Sequence, residues 1–145
     1  MKRVLIALAM TALLAVLVIA SEVKLDGVKC FVGGESVSSS VSADYKDGKV
    51  YFCCPGCQKK FMADTAKYAT KANHQLVATG QAKQTNCPLS GEPIAQDKMV
   101  EVQGAKVYFC CDHCKNKMVG AAPDEQLNLV FSEAAWEKGG FKVAN

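Results

Sequence analysis

The sequence predicts a mixed α+β chain built from two tandem copies of one small unit, each a β-hairpin followed by a helix. Three observations lead there. The eight cysteines fall into two sets, Cys30, Cys53, Cys54, Cys57 and Cys87, Cys110, Cys111, Cys114, and every member of the first recurs in the second 57 residues on. Gly34-Glu35 likewise recurs as Gly91-Glu92, and Lys49-Val50-Tyr51-Phe52 as Lys106-Val107-Tyr108-Phe109. Cysteines placed at random would not keep one offset, so the chain carries two copies of one structural unit. Secondly, a β-branched and aromatic run follows a glycine turn signal in each copy. Thirdly, helix-start chemistry follows each adjacent cysteine pair, as Pro55 and as Asp112.

The elements follow in order. Lys2 and Arg3 precede residues 4–20, an uncharged stretch whose one polar residue is Thr11, and Val18 and Ala20 are small enough for a signal-peptidase site. Residues 1–20 are therefore expected to be a secretory signal, giving an exported protein, periplasmic or secreted. The membrane enters only if that segment stays uncleaved as an anchor. Residues 21–77 form the first cysteine module with a helical tail. Val41, Ala43 and Tyr45 alternate with polar residues, Asp47-Gly48 predicts the hairpin turn because glycine accepts positive φ, and Lys49 to Phe52 form the return strand. A helix is expected over 55–68. Residues 78–85, small and polar with a glycine, read as a linker. Residues 86–145 form the second module, with strands over 99–102 and 105–109 turning at Gly104 and a helix over 112–119. A further helix, C-terminal, is expected from Asp124, stopped by Gly139-Gly140, with Leu129 and Trp136 on its apolar side.

Composition narrows the function. A chain of 145 residues has no room for a large α/β enzyme with a deep cleft. Its charge is +3, and without Lys2 and Arg3 the rest holds 15 Lys against 14 Asp and Glu. Arg3 is the only arginine, so the body lacks both a concentrated basic face and a guanidinium for base or phosphate contacts, and nucleic acid is not expected as a partner. Neither a phosphate-binding glycine loop, nor H-E-x-x-H, nor G-x-S-x-G is present, and no nucleophile stands beside a base. The chain reads as non-catalytic.

The chemistry lies in the cysteines. Cys54 and Cys57, like Cys111 and Cys114, are spaced C-x2-C, which lets two thiolates close on one ion across a turn and a helix start. Cys53 and Cys57 are spaced C-x3-C, and a hairpin can fold Cys30 back over them. Thiolates suit zinc and soft ions such as Cu(I). All eight cysteines are candidate metal ligands, one ion per module, with zinc first and Cu(I) or another soft metal second. Each unit has few large apolar residues, and units of this size usually need a metal, a disulfide or a partner unit. Two alternatives stay open. Export permits a disulfide scaffold, and C54-P-G-C57 at a helix start has the form of a thiol–disulfide exchange site.

The outline of loop cysteine, hairpin, cysteine pair and helix is treble-clef-like. The two copies resemble the TRASH family of metal-associated modules and its YHS-type relatives. The resemblance rests on a cysteine followed at a distance by C-x3-C, here Cys30 with Cys53 and Cys57, and Cys87 with Cys110 and Cys114. It also rests on the aromatic run Tyr45, Gly48, Tyr51, Phe52, Cys53, where the second copy has Val102 and Gly104 at the tyrosine and glycine places. It spans about residues 28–62 and 85–119. It implies a zinc-finger-like fold and heavy-metal binding in sensing, trafficking or resistance. Family members with C-x2-C at the first position have a further cysteine where Gly33 and Ser90 stand here. Cys54 and Cys111 turning inward would complete a four-sulfur shell; otherwise three cysteines bind and the fourth position is open. A protein partner is an alternative role, with metal or disulfides only supporting a binding surface.

The remaining residues carry ordinary expectations. His113 reads as an exposed helix-start histidine, and His74, in the polar stretch Asn73-His74-Gln75, as a surface or capping residue. Tyr51, Phe52, Tyr108 and Phe109 read as packing around the sulfurs. Met99 and Met118 read as apolar strand and helix positions.

Overall fold

The computed structural model describes residues 22–144. The expected export signal lies outside these residues. In the first copy β1 (Ser38–Tyr45) and β2 (Gly48–Phe52) form the hairpin, followed by α1 (Pro55–Ala63), α2 (Thr65–Ala78) and the short β3 (Ala82–Lys83). In the second copy β4 (Ala95–Val102) and β5 (Ala105–Phe109) are followed by α3 (Asp112–Val119), α4 (Pro123–Phe131), α5 (Glu133–Lys138) and the short β6 (Lys142–Val143). The chain is thus mixed α+β with small hairpin sheets. The repeat extends to irregularities. The register slips between Ser38 and Ser42 in one hairpin and between Ala95 and Met99 in the other, the same place in each copy. No helix among the described residues is long and apolar enough to cross a membrane.

The first hairpin turns one residue earlier than the Asp-Gly signal predicts. Tyr45 pairs with Gly48, so Lys46 and Asp47 are the central residues, with φ of 47° and 64°. Two positive φ values in succession are what a right-twisted two-residue turn requires. Gly48 is in the strand instead, and its role is steric: a Cβ there would lie 2.9 Å from Leu76 Cδ2 and 3.1 Å from Gln81 Oε1. In the second hairpin Gln103 and Gly104 take the turn, as predicted for the glycine.

The helix expected over 55–68 breaks in two at Asp64. Asp64 leaves helical geometry (φ −149°, ψ 73°), and its carboxylate accepts a hydrogen bond from the Lys67 amide at 3.1 Å. An aspartate two turns into an apolar pattern starts a new helix because its side chain satisfies an orphan amide. The C-terminal helix is also two helices. It begins at Pro123, breaks at Ser132 (ψ 158°), and ends at Gly139. Trp136 is buried, while Leu129 is half-buried.

The two copies share one core. Phe52 and Phe61 pack at 5.4 Å between ring centroids, with Phe31 edge-on to both, and the place of Phe61 is taken by the buried Met118 in the second copy. Helix α2 packs on β2, on β5 and on α4, so it belongs to both modules. The modules also exchange contacts reciprocally. Tyr45 at the first turn donates to Glu133 Oε1 at 3.4 Å, and Lys46 bonds Glu133 at 2.7 Å and lies over Trp136. At the second turn, His74 Nε2 reaches the Val102 and Gln103 carbonyls, each at 3.0 Å. His74 is therefore a link between modules rather than the surface or capping residue its polar neighbours predict. Equivalent strands β3 and β6 pair antiparallel. Residues 78–85, read as a linker, contain β3 and the buried Thr79, Gln81 and Ala82. No buried side-chain nitrogen or oxygen among the described residues lacks a partner.

Candidate metal centres

Each first cysteine sits in a turn closed by the repeated Gly-Glu pair. The Cys30 amide donates to the Glu35 carbonyl at 2.7 Å, and the Gly34 amide donates back to the Cys30 carbonyl at 2.7 Å. Cys87 makes the same two bonds with Glu92 and Gly91, at 2.7 and 2.8 Å. The turn needs φ of 82° at Gly34 and 83° at Gly91, which only glycine adopts without strain. This explains why the glycine moves with the cysteines, while the glutamate gives the turn only its backbone carbonyl.

The second cysteine of each set leaves the return strand, and glutamines hold that strand in place. The Gln75 side chain accepts from the Tyr51 amide at 2.6 Å and donates to its carbonyl at 3.0 Å. Gln81 grips Lys49 in the same two-bond manner, and Gln84 grips Tyr108 at 2.9 and 2.8 Å. Side chains thus satisfy strand edges that would otherwise offer bare backbone. Sequence reasoning missed these clamps. The only trace was three glutamines within ten residues of an otherwise unremarkable polar stretch.

Three sulfurs of each set meet. Those of Cys30, Cys53 and Cys57 lie within 4.8 Å of one another, and so do those of Cys87, Cys110 and Cys114. Cys53 and Cys57 are 3.6 Å apart at sulfur, Cys110 and Cys114 3.8 Å. Zinc–sulfur bonds of about 2.3 Å in a tetrahedron put sulfurs about 3.8 Å apart, so the spacing fits an ion. All eight cysteines are free thiols. Cys30, Cys57, Cys87 and Cys114 are buried, and Cys53 and Cys110 half-buried. Cys54 and Cys111 stand outside the triads. Both are exposed at the start of a helix beside their triads: the Cys54 sulfur is 3.6 Å from that of Cys57 and also meets the Cys53 thiol, and the Cys111 sulfur is 3.5 Å from that of Cys110 and also meets the Cys114 thiol.

The surroundings polarise each triad. Burial pushes the Cys87 thiol up, but the Ser90 hydroxyl and the amides of Cys110, Ser90 and Leu89 outweigh it and bring it down to about 7. Burial also raises Cys30, and amides of Cys53, Gly33 and Val32 bring it below the ordinary thiol value. Burial lifts Cys57 and Cys114 to about 12. Each triad therefore favours one thiolate and resists a second, because like charges crowd a partly dry site. A bound cation reverses that order, since it neutralises the very charges that repel.

His113 is exposed and outside the triads, as its sequence position predicts. Met118 is buried in the core and Met99 faces Tyr108 across the hairpin. Phe52 and Phe109 are fully buried and Tyr51 nearly so, while Tyr108 is half-buried. Position 33 carries no side chain, and a Cβ there would lie 2.9 Å from the sulfurs of both Cys53 and Cys57. Its counterpart Ser90 places its hydroxyl 3.2 Å from the Cys110 sulfur.

Two buried cysteine triads in one α+β chain define a class of protein with the donors for two metal ions. The chain matches no protein-family model, no curated protein and no solved structure. The likeness to TRASH and YHS-type modules accordingly stands on the cysteine spacing and the aromatic run in the sequence alone.

Proposed function

We propose that this is an exported, non-catalytic metal-binding protein. Each triad holds one ion, zinc or a soft metal such as Cu(I), through cysteine thiolates, in the service of metal sensing, trafficking or sequestration. The observation that carries the reading is convergence without bridging: three free thiols gather in each module at ligand spacing. Two further points support it. Gly34 and Gly91 carry the same positive φ, so both copies keep the turn that presents the first sulfur. The helix-side sulfurs stand close together in both copies, 3.6 Å apart in Cys53 and Cys57 and 3.8 Å in Cys110 and Cys114. A treble-clef-like arrangement in each module and the pattern of residues 1–20 complete the reading. The test is metal content and free-thiol count on freshly purified protein kept reduced. Two ions per chain with all thiols reduced supports the proposal; a metal-free chain with bridged triads overturns it.

A second reading is thiol–disulfide exchange at Cys54 and Cys57. It is favoured by an exposed thiol at a helix start, 3.6 Å from a buried partner, and held below its ordinary pKa by the Cys57 amide and thiol. Exchange with a model disulfide that disappears in Cys54→Ser would favour it.

A further inference from the structure

One cysteine of each set stands outside its triad, and it is the same one in both copies, Cys54 and Cys111. Each is exposed at the start of a helix, whereas the triad cysteines are buried or half-buried. Cys54 Sγ lies 3.6 Å from Cys57 Sγ, and Cys111 meets the Cys114 thiol in the same way. The carbonyl of each accepts from the amide four residues on, Gln58 at 3.3 Å and Lys115 at 3.1 Å, so Cys54 to Cys57 and Cys111 to Cys114 each span one helical turn. Helical rise and radius put Cα atoms three residues apart at about 5 Å, inside the range of about 4.4–6.8 Å that a disulfide takes. Adjacent cysteines, Cys53 with Cys54 and Cys110 with Cys111, have Cα atoms about 3.8 Å apart across a trans peptide and fall short of that range.

We infer that Cys54 and Cys111 are sites of oxidation by small disulfides, and that the bridge each then forms, with Cys57 or with Cys114, takes a ligand from the ion and releases it. The inference rests on the metal reading above. A dialkyl disulfide such as oxidised glutathione meets the exposed sulfur first, while the triad sulfurs are less accessible and are engaged by the ion. The Cys54 thiol gives its proton to solvent, its sulfur bonds one sulfur of R–S–S–R, and the thiolate that leaves takes up a proton. The Cys57 sulfur then bonds the Cys54 sulfur and displaces the second thiolate, which is protonated from solvent. Two electrons pass from the two cysteines to the small disulfide, giving one internal bridge and two R–SH. Cys57 no longer offers a thiolate, two ligands remain, and the ion leaves to water. A dithiol reverses the step. Cys111 and Cys114 do the same in the second module. The fourth cysteine thus acts as a latch, and the C-x2-C spacing sets it one turn from a ligand in both copies.

The experiment adds oxidised glutathione to the full mature chain loaded with zinc. Released zinc is read with a chromogenic chelator, and the bridges by peptide mapping. The wild type is expected to lose both ions as Cys54–Cys57 and Cys111–Cys114 bridges form, and to rebind them after reduction by dithiothreitol. The double variant Cys54→Ser, Cys111→Ser is expected to bind two zinc ions and to release them at least about tenfold more slowly. Release at the wild-type rate in that variant, or bridges that join only triad cysteines, overturns the inference and leaves the metal reading intact. A chain that bridges Cys54 to Cys57 and keeps its zinc also overturns it, leaving disulfide exchange alone. A reduced chain that binds no zinc overturns the inference and the metal reading together. Should the double variant fail to hold zinc, the bridges mapped in the wild type decide the matter.

Discussion

Cys54 and Cys57 are three positions apart and live in opposite surroundings. Cys57 points inward from the first turn of α1 and burial lifts its thiol to about 12, whereas Cys54 faces solvent and amides at the helix start lower its thiol. Their loss should therefore differ. Cys57→Ser is expected to reduce bound metal from two ions to one, and Cys54→Ser to leave both in place, as read by elemental analysis. His74 makes a second prediction. Burial depresses its folded pKa below the ordinary value of about 6.5. Its contribution is then complete above about pH 6.5 and is lost as pH falls through the folded value, because the unfolded chain takes up the proton first. The urea midpoint should fall on acidification more steeply in wild type than in His74→Gln. Comparing the two removes the effect of acid on the thiolates.

At the scale of elements, the first hairpin makes a pair of predictions opposite in sign. Gly48→Ala should cost about 1–3 kcal/mol, because its methyl would press on Leu76 and Gln81 inside a packed strand. Asp47→Gly should be neutral or stabilising by up to about 1 kcal/mol, since Asp47 holds φ of 64° in the turn. If the turn lay at Asp-Gly as the sequence signal implies, the glycine would be the sensitive turn residue and Asp47 indifferent. Chemical denaturation of the two variants reads the difference. The clamps belong here too. Gln75→Ala would strand the buried Tyr51 amide and carbonyl and should cost about 1–3 kcal/mol. Tyr51 lies two residues before Cys53, so the same variant should also weaken the first metal site relative to the second.

At the scale of the molecule, α2 ties both hairpins to one core, β3 pairs with β6, and the turn of each module rests on a helix of the other. The modules should therefore unfold as one unit. Stripping the metal with a chelator is expected to lower a single thermal transition, not to melt one module and spare the other, because ligand binding stabilises whatever the bound state shares. Circular dichroism showing two separated transitions after stripping would contradict this.

The sequence by itself determined the duplication, the identity of the eight sulfurs, and the hairpin-then-helix order of each copy. These are local matters, set by spacing, turn chemistry and apolar pattern within a few residues. The tertiary structure decided which three sulfurs of each four meet, since that depends on where side chains point after the hairpin folds over the helix. It also decided that a polar segment beyond α2 is buried, and that His74 and three glutamines bind distant backbone. Those outcomes turn on contacts between residues far apart in the chain, which no local pattern records.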